Sequence, residues 1–293
     1  MSCSSYKTGF LRGRLPSIVL IALALPAVAA ADAGDFVIGA GVETDSQDSV
    51  AYSLLGDIAV ADATWLSASV AYSGIDAPIR QDVDFLYADV GIDHFFDPVG
   101  IRFGVSYWGD SDLLDSNDLR GSIYTRGEGR MLSFDAEHRQ FNFNIPAIDA
   151  QPRADVEFDG TGAGLSTRFD VSDRVSFSAS GMSYEYSREF NLGDDAARVV
   201  DVLTFSRLSV LSSLVDWRAR AGLDIDFGLR SLQLSLSKWR GVVDKSSNVG
   251  ATIGFLTPVG NRADLEISLG YDDSNLYGDV TFVSVFVYLY GGN

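Results

Sequence analysis

Every second residue from Val215 to Phe227 is apolar: Val215, Trp217, Ala219, Ala221, Leu223, Ile225 and Phe227. Between them stand Asp216, Arg218, Arg220, Gly222, Asp224 and Asp226. A period of two marks a β-strand, whose successive side chains point to opposite faces. After Gly228-Leu229, Leu232, Leu234 and Leu236 alternate with Gln233, Ser235 and Ser237. The stretch predicts two long strands joined by a tight turn, with one greasy face and one charged face.

The alternation recurs along the chain. Phe36 to Val42, Val50 to Val60, Leu66 to Tyr72, Leu86 to Ile92, Ile101 to Tyr107 and Leu119 to Thr125 all carry it. In the middle, Leu132, Phe134 and Ala136 share a phase that fades at His138. Val156 and Phe158 are in one phase, Ala163 to Val171 in the other; a glycine β-bulge at Gly160-Thr161-Gly162 is the expected cause. Val175 to Ala179, Val249 to Phe255 and Ala263 to Tyr271 resume the pattern, and the last strand, about Asp279 to Tyr290, is apolar on both faces. The sum is about fourteen strands, with twelve as the alternative.

The connections alternate in length. Short ones fall at Asp62-Ala63, Asp97 to Gly100, Gly127 to Gly129, Ser172-Asp173, Gly228-Leu229 and Pro258 to Asn261. Longer ones hold Asp45 to Asp48, Gly74 to Gln81, Asp110 to Asp118, Asn144 to Arg153, Arg188 to Ser212, Gly241 to Ser247 and Asp272 to Tyr277. In the Arg188 to Ser212 connection Asp194-Asp195 could cap a short helix; the segment is read as an apolar flap or strand extension, with a constriction or lid folded toward the lumen as the alternative. Together these features predict an all-β fold: a transmembrane antiparallel up-and-down β-barrel in one domain, residues 32–293.

Composition adds a leader and removes several function classes. Lys7, Arg12 and Arg14 precede an apolar run from Leu15 to Leu25 and small residues at Ala27 to Ala31, the three-part pattern of a cleaved signal peptide over residues 1–31. Without it the net charge of −18 becomes −21, since three cations and no acid are lost, and the sole cysteine, Cys3, goes too. So acidic a chain is a poor nucleic-acid binder, which needs clustered Lys and Arg. No cofactor and no metal site is expected, because no metal-ligand spacing occurs.

Leader, alternating strands, short and long connections and the missing cysteines resemble Gram-negative outer-membrane β-barrel proteins of the porin-like kind. The alternating aromatics Phe286, Tyr288 and Tyr290 are similar to the C-terminal assembly signature of that group, although Gly291-Gly292-Asn293 follow them. The resemblance implies an outer-membrane location reached through the periplasm, with lipid and the barrel-assembly machinery as partners. If the last strand's aromatics face lipid, Val283, Val285, Val287 and Leu289 face the lumen; the alternative is an ordinary buried last strand.

Candidate chemistry therefore concentrates on the inward phase. Arg102, Arg120, Arg126, Asp216, Arg218, Arg220, Asp224, Asp226, Asp264 and Glu266 share it and are the expected pore-lining residues. Opposed bands of arginine and carboxylate select ions or solutes in a pore. The expected function is a porin-like channel or passive transporter for small polar solutes, without catalysis. Two alternatives stand beside it: a closed structural, assembly or export-associated barrel, and a rim hydrolase built on His138 with Asp135 and Glu137. His94, in the lipid phase near a short turn, is expected at the membrane interface.

Overall fold

The computed structural model describes residues 33–75, 83–110, 114–145, 154–187, 214–242, 245–276 and 278–292. The leader over residues 1–31 and the flap or helix over residues 188–212 lie outside the described residues. Fourteen strands follow in order: β1 Phe36–Asp45, β2 Val50–Ala61, β3 Thr64–Ile75, β4 Val83–Phe95, β5 Val99–Asp110, β6 Leu114–Gly127 and β7 Arg130–Ile145, then β8 Ala154–Ser172, β9 Val175–Tyr186, β10 Val215–Asp226, β11 Ser231–Gly241, β12 Ser247–Pro258, β13 Ala263–Ser274 and β14 Gly278–Gly291. Each pairs antiparallel with its neighbours in sequence, and β1 closes on β14 from Phe36↔Gly291 to Asp45↔Phe282. The fold is a closed up-and-down barrel, and the twelve-strand alternative falls away.

The outer face explains why the wall closes. Ile38, Leu54, Val90, Phe103, Ile123, Phe134, Leu165, Leu236, Ile253 and Val287 all point outward and are exposed. An apolar belt of this extent is stable only against lipid. Hydrocarbon offers backbone groups no partner, so a spanning sheet must leave no edge. The six tight turns lie at one end with the N-terminus of β1 and the C-terminus of β14. Outer-membrane barrels carry their short turns on the periplasmic side. At that end Thr64 and His94 share a hydrogen bond of 2.6 Å, and the His94 ring meets Phe96 edge-on at 4.2 Å.

Four local expectations are corrected. No bulge occurs at Gly160 to Gly162: β7 and β8 stay in continuous register from Arg130↔Phe169 to Ile145↔Ala154. The apolar phase switches because β8, at 19 residues, outruns the membrane. Above the belt its outer face meets water and carries Glu157 and Asp159, while Phe158 turns inward and is buried. For the same reason β7 does not lose phase at His138; His138 continues the outward row of Phe134 and Ala136.

Register shifts occur elsewhere, at Ala59/Ala61 and Asp170/Ser172 beside tight turns and between Val215 and Trp217, where the pairing with β11 slips. Val215 therefore leaves the lipid row and is buried with Tyr184 and Trp239. In β14 the expected orientation is reversed. Val283, Val287 and Leu289 are exposed on the outside, while Phe282, Phe286 and Tyr288 are buried inside. Neighbouring strands supply the room: a Cβ on Gly41 would sit 2.5 Å from the Phe286 ring, and one on Gly39 would sit 2.9 Å from that of Tyr288. Rings laid flat over glycine seal the β1–β14 seam from within.

Candidate functional site

The lumen wall is built by the inward residue of each pair in the registers. In a ring of fourteen, each strand faces the one seven places away, so β13, β1 and β2 stand opposite β6, β8 and β9. Among the described residues the inward arginines all lie on β5 to β10: Arg102, Arg120, Arg126, Arg139, Arg168, Arg218 and Arg220. The opposite arc carries carboxylates only: Asp264, Glu266 and Asp272 on β13, Glu43 on β1 and Asp57 on β2. Asp89, Asp93, Asp118, Asp135, Glu137 and Asp224 stand beside or among the arginines, so acids outnumber bases on the inner wall as a whole.

Three layers of contact organise the arginine arc. Nearest the tight turns, Arg102 Nε donates to Asp93 Oδ2 at 2.5 Å, and Tyr124 O–H donates to Asp93 Oδ1 at 2.6 Å. The Arg102 guanidinium lies 4.8 Å over the Tyr124 ring, which stacks on Phe95, and Arg126 lies 5.9 Å over Phe95. Across the wall at a similar level, Arg168 donates to Ser176 Oγ at 2.8 Å and pairs with Asp224 at 3.3 Å. At mid-height Arg120 pairs with Asp89.

Above them is a dry cluster around Arg139, whose side chain is 0% exposed. Its Nε stands 3.4 Å from Asp118 and 3.6 Å from Glu137, with the guanidinium 4.8 Å over the Phe141 ring. Glu137 also accepts from Tyr184 O–H at 2.7 Å and from Arg218 Nη2 at 3.2 Å. The Arg218 contact reaches from β10 to β7 over β8 and β9. Gly160, Gly162 and Gly164 occupy the inward row of β8 beneath it, which leaves room for the Tyr186 and Tyr184 rings to lie against the first two. Toward the loop end this cluster merges into an apolar filling of Phe85, Trp108, Leu114, Phe141 and Phe143, each no more than 3% exposed.

Elsewhere the wall is wet. Ser180 and Arg220 face the interior and are exposed, and the Arg102 side chain is 48% exposed. Around Ser180 and Arg220 the inward row reads Ser176, Ser178, Gly222, Gln233, Ser235, Ser237 and Thr252, a hydroxyl-rich face on β9 to β12. The adjoining seam of β13, β14 and β1 is closed: Glu266, 4% exposed, accepts from Ser268 at 2.8 Å and Tyr288 at 3.0 Å, and Tyr290 donates to Asp264 at 2.9 Å.

Of the ten residues expected on the lumen, Arg102, Arg120, Arg126, Arg218, Arg220, Asp224, Asp264 and Glu266 stand on inward rows, and Asp226 stands at the turn-end rim beside Ser231. Asp216 is displaced by the bulge and pairs with Lys245 at 3.3 Å and Arg240 at 3.6 Å at the loop end. The sequence reading left Arg139 and Asp118 out of the lumen set and gave Glu137 to the rim alternative only. Following the phase of Arg120 and Arg126 through β7 would have found them. Asp135 and Glu137 point inward while His138 points out, with Thr161 Oγ1 3.5 Å from its Nδ1. The three do not converge as a rim hydrolase requires.

No family model matches the chain, and no curated relative does. Solved structures match it as a fold. An outer-membrane expressed OmpT of Vibrio cholerae aligns over 90% of this chain and 100% of its own, with 9% identity and a TM-score of 0.51. A KdgM porin aligns over 86% of this chain and 98% of its own, at 12% identity and a TM-score of 0.46. The OccK11 (OpdR) structure of Pseudomonas aeruginosa covers 89% and 98%, at 7% identity and a TM-score of 0.45. The chain has the closed β-barrel fold of outer-membrane proteins.

Proposed function

We propose that this protein is an outer-membrane channel that passes small polar solutes along the hydroxyl-rich wall of β9 to β12. The supporting observation is the exposure of Ser180, Arg220 and Arg102, which face the barrel interior yet are reached by solvent. A barrel packed along its whole length would bury them. Passage is confined by the sealed seam on one side and by the Arg218 to Glu137 contact on the other. The excess of inward carboxylates favours cations, and the arginine arc holds a solute's acidic groups against that side. Reconstitution into planar bilayers tests this. Steps of conductance with a reversal potential displaced toward the cation's equilibrium value are expected; a correctly folded, inserted and silent protein refutes it.

A second reading, a closed structural barrel, draws on the apolar filling at the loop end. Phe85, Trp108 and Phe141 there are each 1% exposed. Replacing Trp108 by Ala separates the two readings: a channel narrowed by this filling conducts more, and a structural barrel stays silent.

A further inference from the structure

Between the apolar belt and the long loops, the outward face of the barrel is neutral or acidic almost everywhere. Asp115, Glu157, Asp159, Glu185, Asp273 and Asp279 stand there. Among the described residues only Lys238 and Arg240 are outward cations at this level. They occupy consecutive outward positions of β11, directly above Leu232, Leu234 and Leu236. Both are exposed, and Lys238 makes no hydrogen bond or ion pair among the described residues. Arg240 Nε stands 3.6 Å from Asp216, too far for a hydrogen bond, and Asp216 is shared with Lys245.

The cross-strand partner of Arg240 is Trp217, also outward, and those of Lys238 are Ala219 and Val249. An indole at the top of an apolar belt sits at the level of lipid headgroups. Two cations, one of them a planar fork, beside that ring and over a short-chain floor make a seat for a phosphate group. We propose that Lys238, Arg240 and Trp217 hold the phosphorylated headgroup of an outer-leaflet glycolipid, whose acyl chains lie along Leu236, Leu234 and Leu232. Charge complementarity selects the occupant: a phosphate is repelled by the acidic remainder of the rim and attracted here. The inference rests on the membrane placement proposed above, not on conduction.

Native mass spectrometry of the refolded full barrel in neutral detergent tests it, titrating with bis-phosphorylated lipid A, with its dephosphorylated form, and with inorganic phosphate. The wild type retains the phosphorylated glycolipid. The pair Lys238→Gln with Arg240→Gln binds it on the order of twentyfold more weakly, at about fivefold per basic side chain near an anionic surface. The swapped pair Lys238→Arg with Arg240→Lys keeps the binding, and heat-modifiable migration on gels verifies that each variant has folded. Equal binding by wild type and the Gln pair overturns the proposal. So does equal retention of the dephosphorylated lipid, or inorganic phosphate binding as tightly as the glycolipid. Silent bilayers with intact lipid binding overturn only the channel reading.

Discussion

Removing the guanidinium of Arg139 is the most severe single change the lumen wall offers. In Arg139→Met an unbranched apolar stem remains and the guanidinium is lost. Asp118 and Glu137, whose side chains are each 3% exposed, then face each other with no cation between them. Breaking a buried pair by deleting one partner costs about 3–5 kcal/mol, because the survivor stays charged in a dry site. Here the lower end applies. Glu137 retains Arg218 at 3.2 Å and Tyr184 at 2.7 Å, and Asp118 retains Ser116. Losing the guanidinium stacked over Phe141 adds up to about 2 kcal/mol at a desolvated site. A net loss of about 3–5 kcal/mol is expected.

The assay is reversible urea unfolding in phospholipid vesicles, followed by tryptophan fluorescence. The triple variant Asp118→Asn, Arg139→Met and Glu137→Gln is the control. Replacing a whole buried ion cluster by neutral groups is often nearly neutral, so most of the lost stability should return. The coupling between these neighbours is the non-additive part of the cycle. If Arg139→Met unfolds within about 0.5 kcal/mol of the wild type, or the triple variant is no better than the single one, the cluster is not the dry, coupled unit described.

Gly162→Val should destabilise by about 1–3 kcal/mol in the same assay, because a Cβ at Gly162 would stand 2.6 Å from the Tyr184 ring and the core cannot give way. Tyr184→Phe removes only the hydrogen bond to Glu137, a buried bond to a charged acceptor, and should cost about 1.5–3 kcal/mol. Arg102→Gln should displace the reversal potential further toward cations, since it leaves Asp93 uncompensated on the wet wall. His138→Ala should change stability by less than about 0.5 kcal/mol and abolish no hydrolysis, as its ring lies on the outer face.

Strand number, turn positions and the identity of the lipid row were readable because hydrocarbon on one side imposes a strict parity. That parity weakens where the bilayer stops, and there the reading failed. At Phe158 and at Val215 an apolar residue marks the inside of the barrel, not its lipid face. In β14 both faces are apolar, so parity is silent. The deciding information sits on other strands, in Gly39, Gly41 and Gly270, whose missing side chains make room for the inward rings. Single-strand periodicity cannot register a fit between partners far apart in sequence. The same limit hid Arg139: its acids lie on β6 and β7, but its aromatic lid, Tyr184, comes from β9.

The inner wall of one barrel thus serves as three different solvents. Along the seam it is a dry packing of rings on glycine; at the loop end of β4 to β7 it is an aromatic core with a buried ion cluster; along β9 to β12 it is hydroxyl and water. A simple load-bearing barrel has no use for the third. Serine and glycine pack poorly, and each inward serine facing water forgoes the burial that a valine would gain, about 25 cal/mol for each Å² of apolar surface. Ser178, Ser180, Ser235 and Ser237 together give up that stabilisation on one contiguous face. The face lies between the Arg168–Asp224 pair and the Arg218–Glu137 contact, where an open passage needs a wall that is smooth, small and wet.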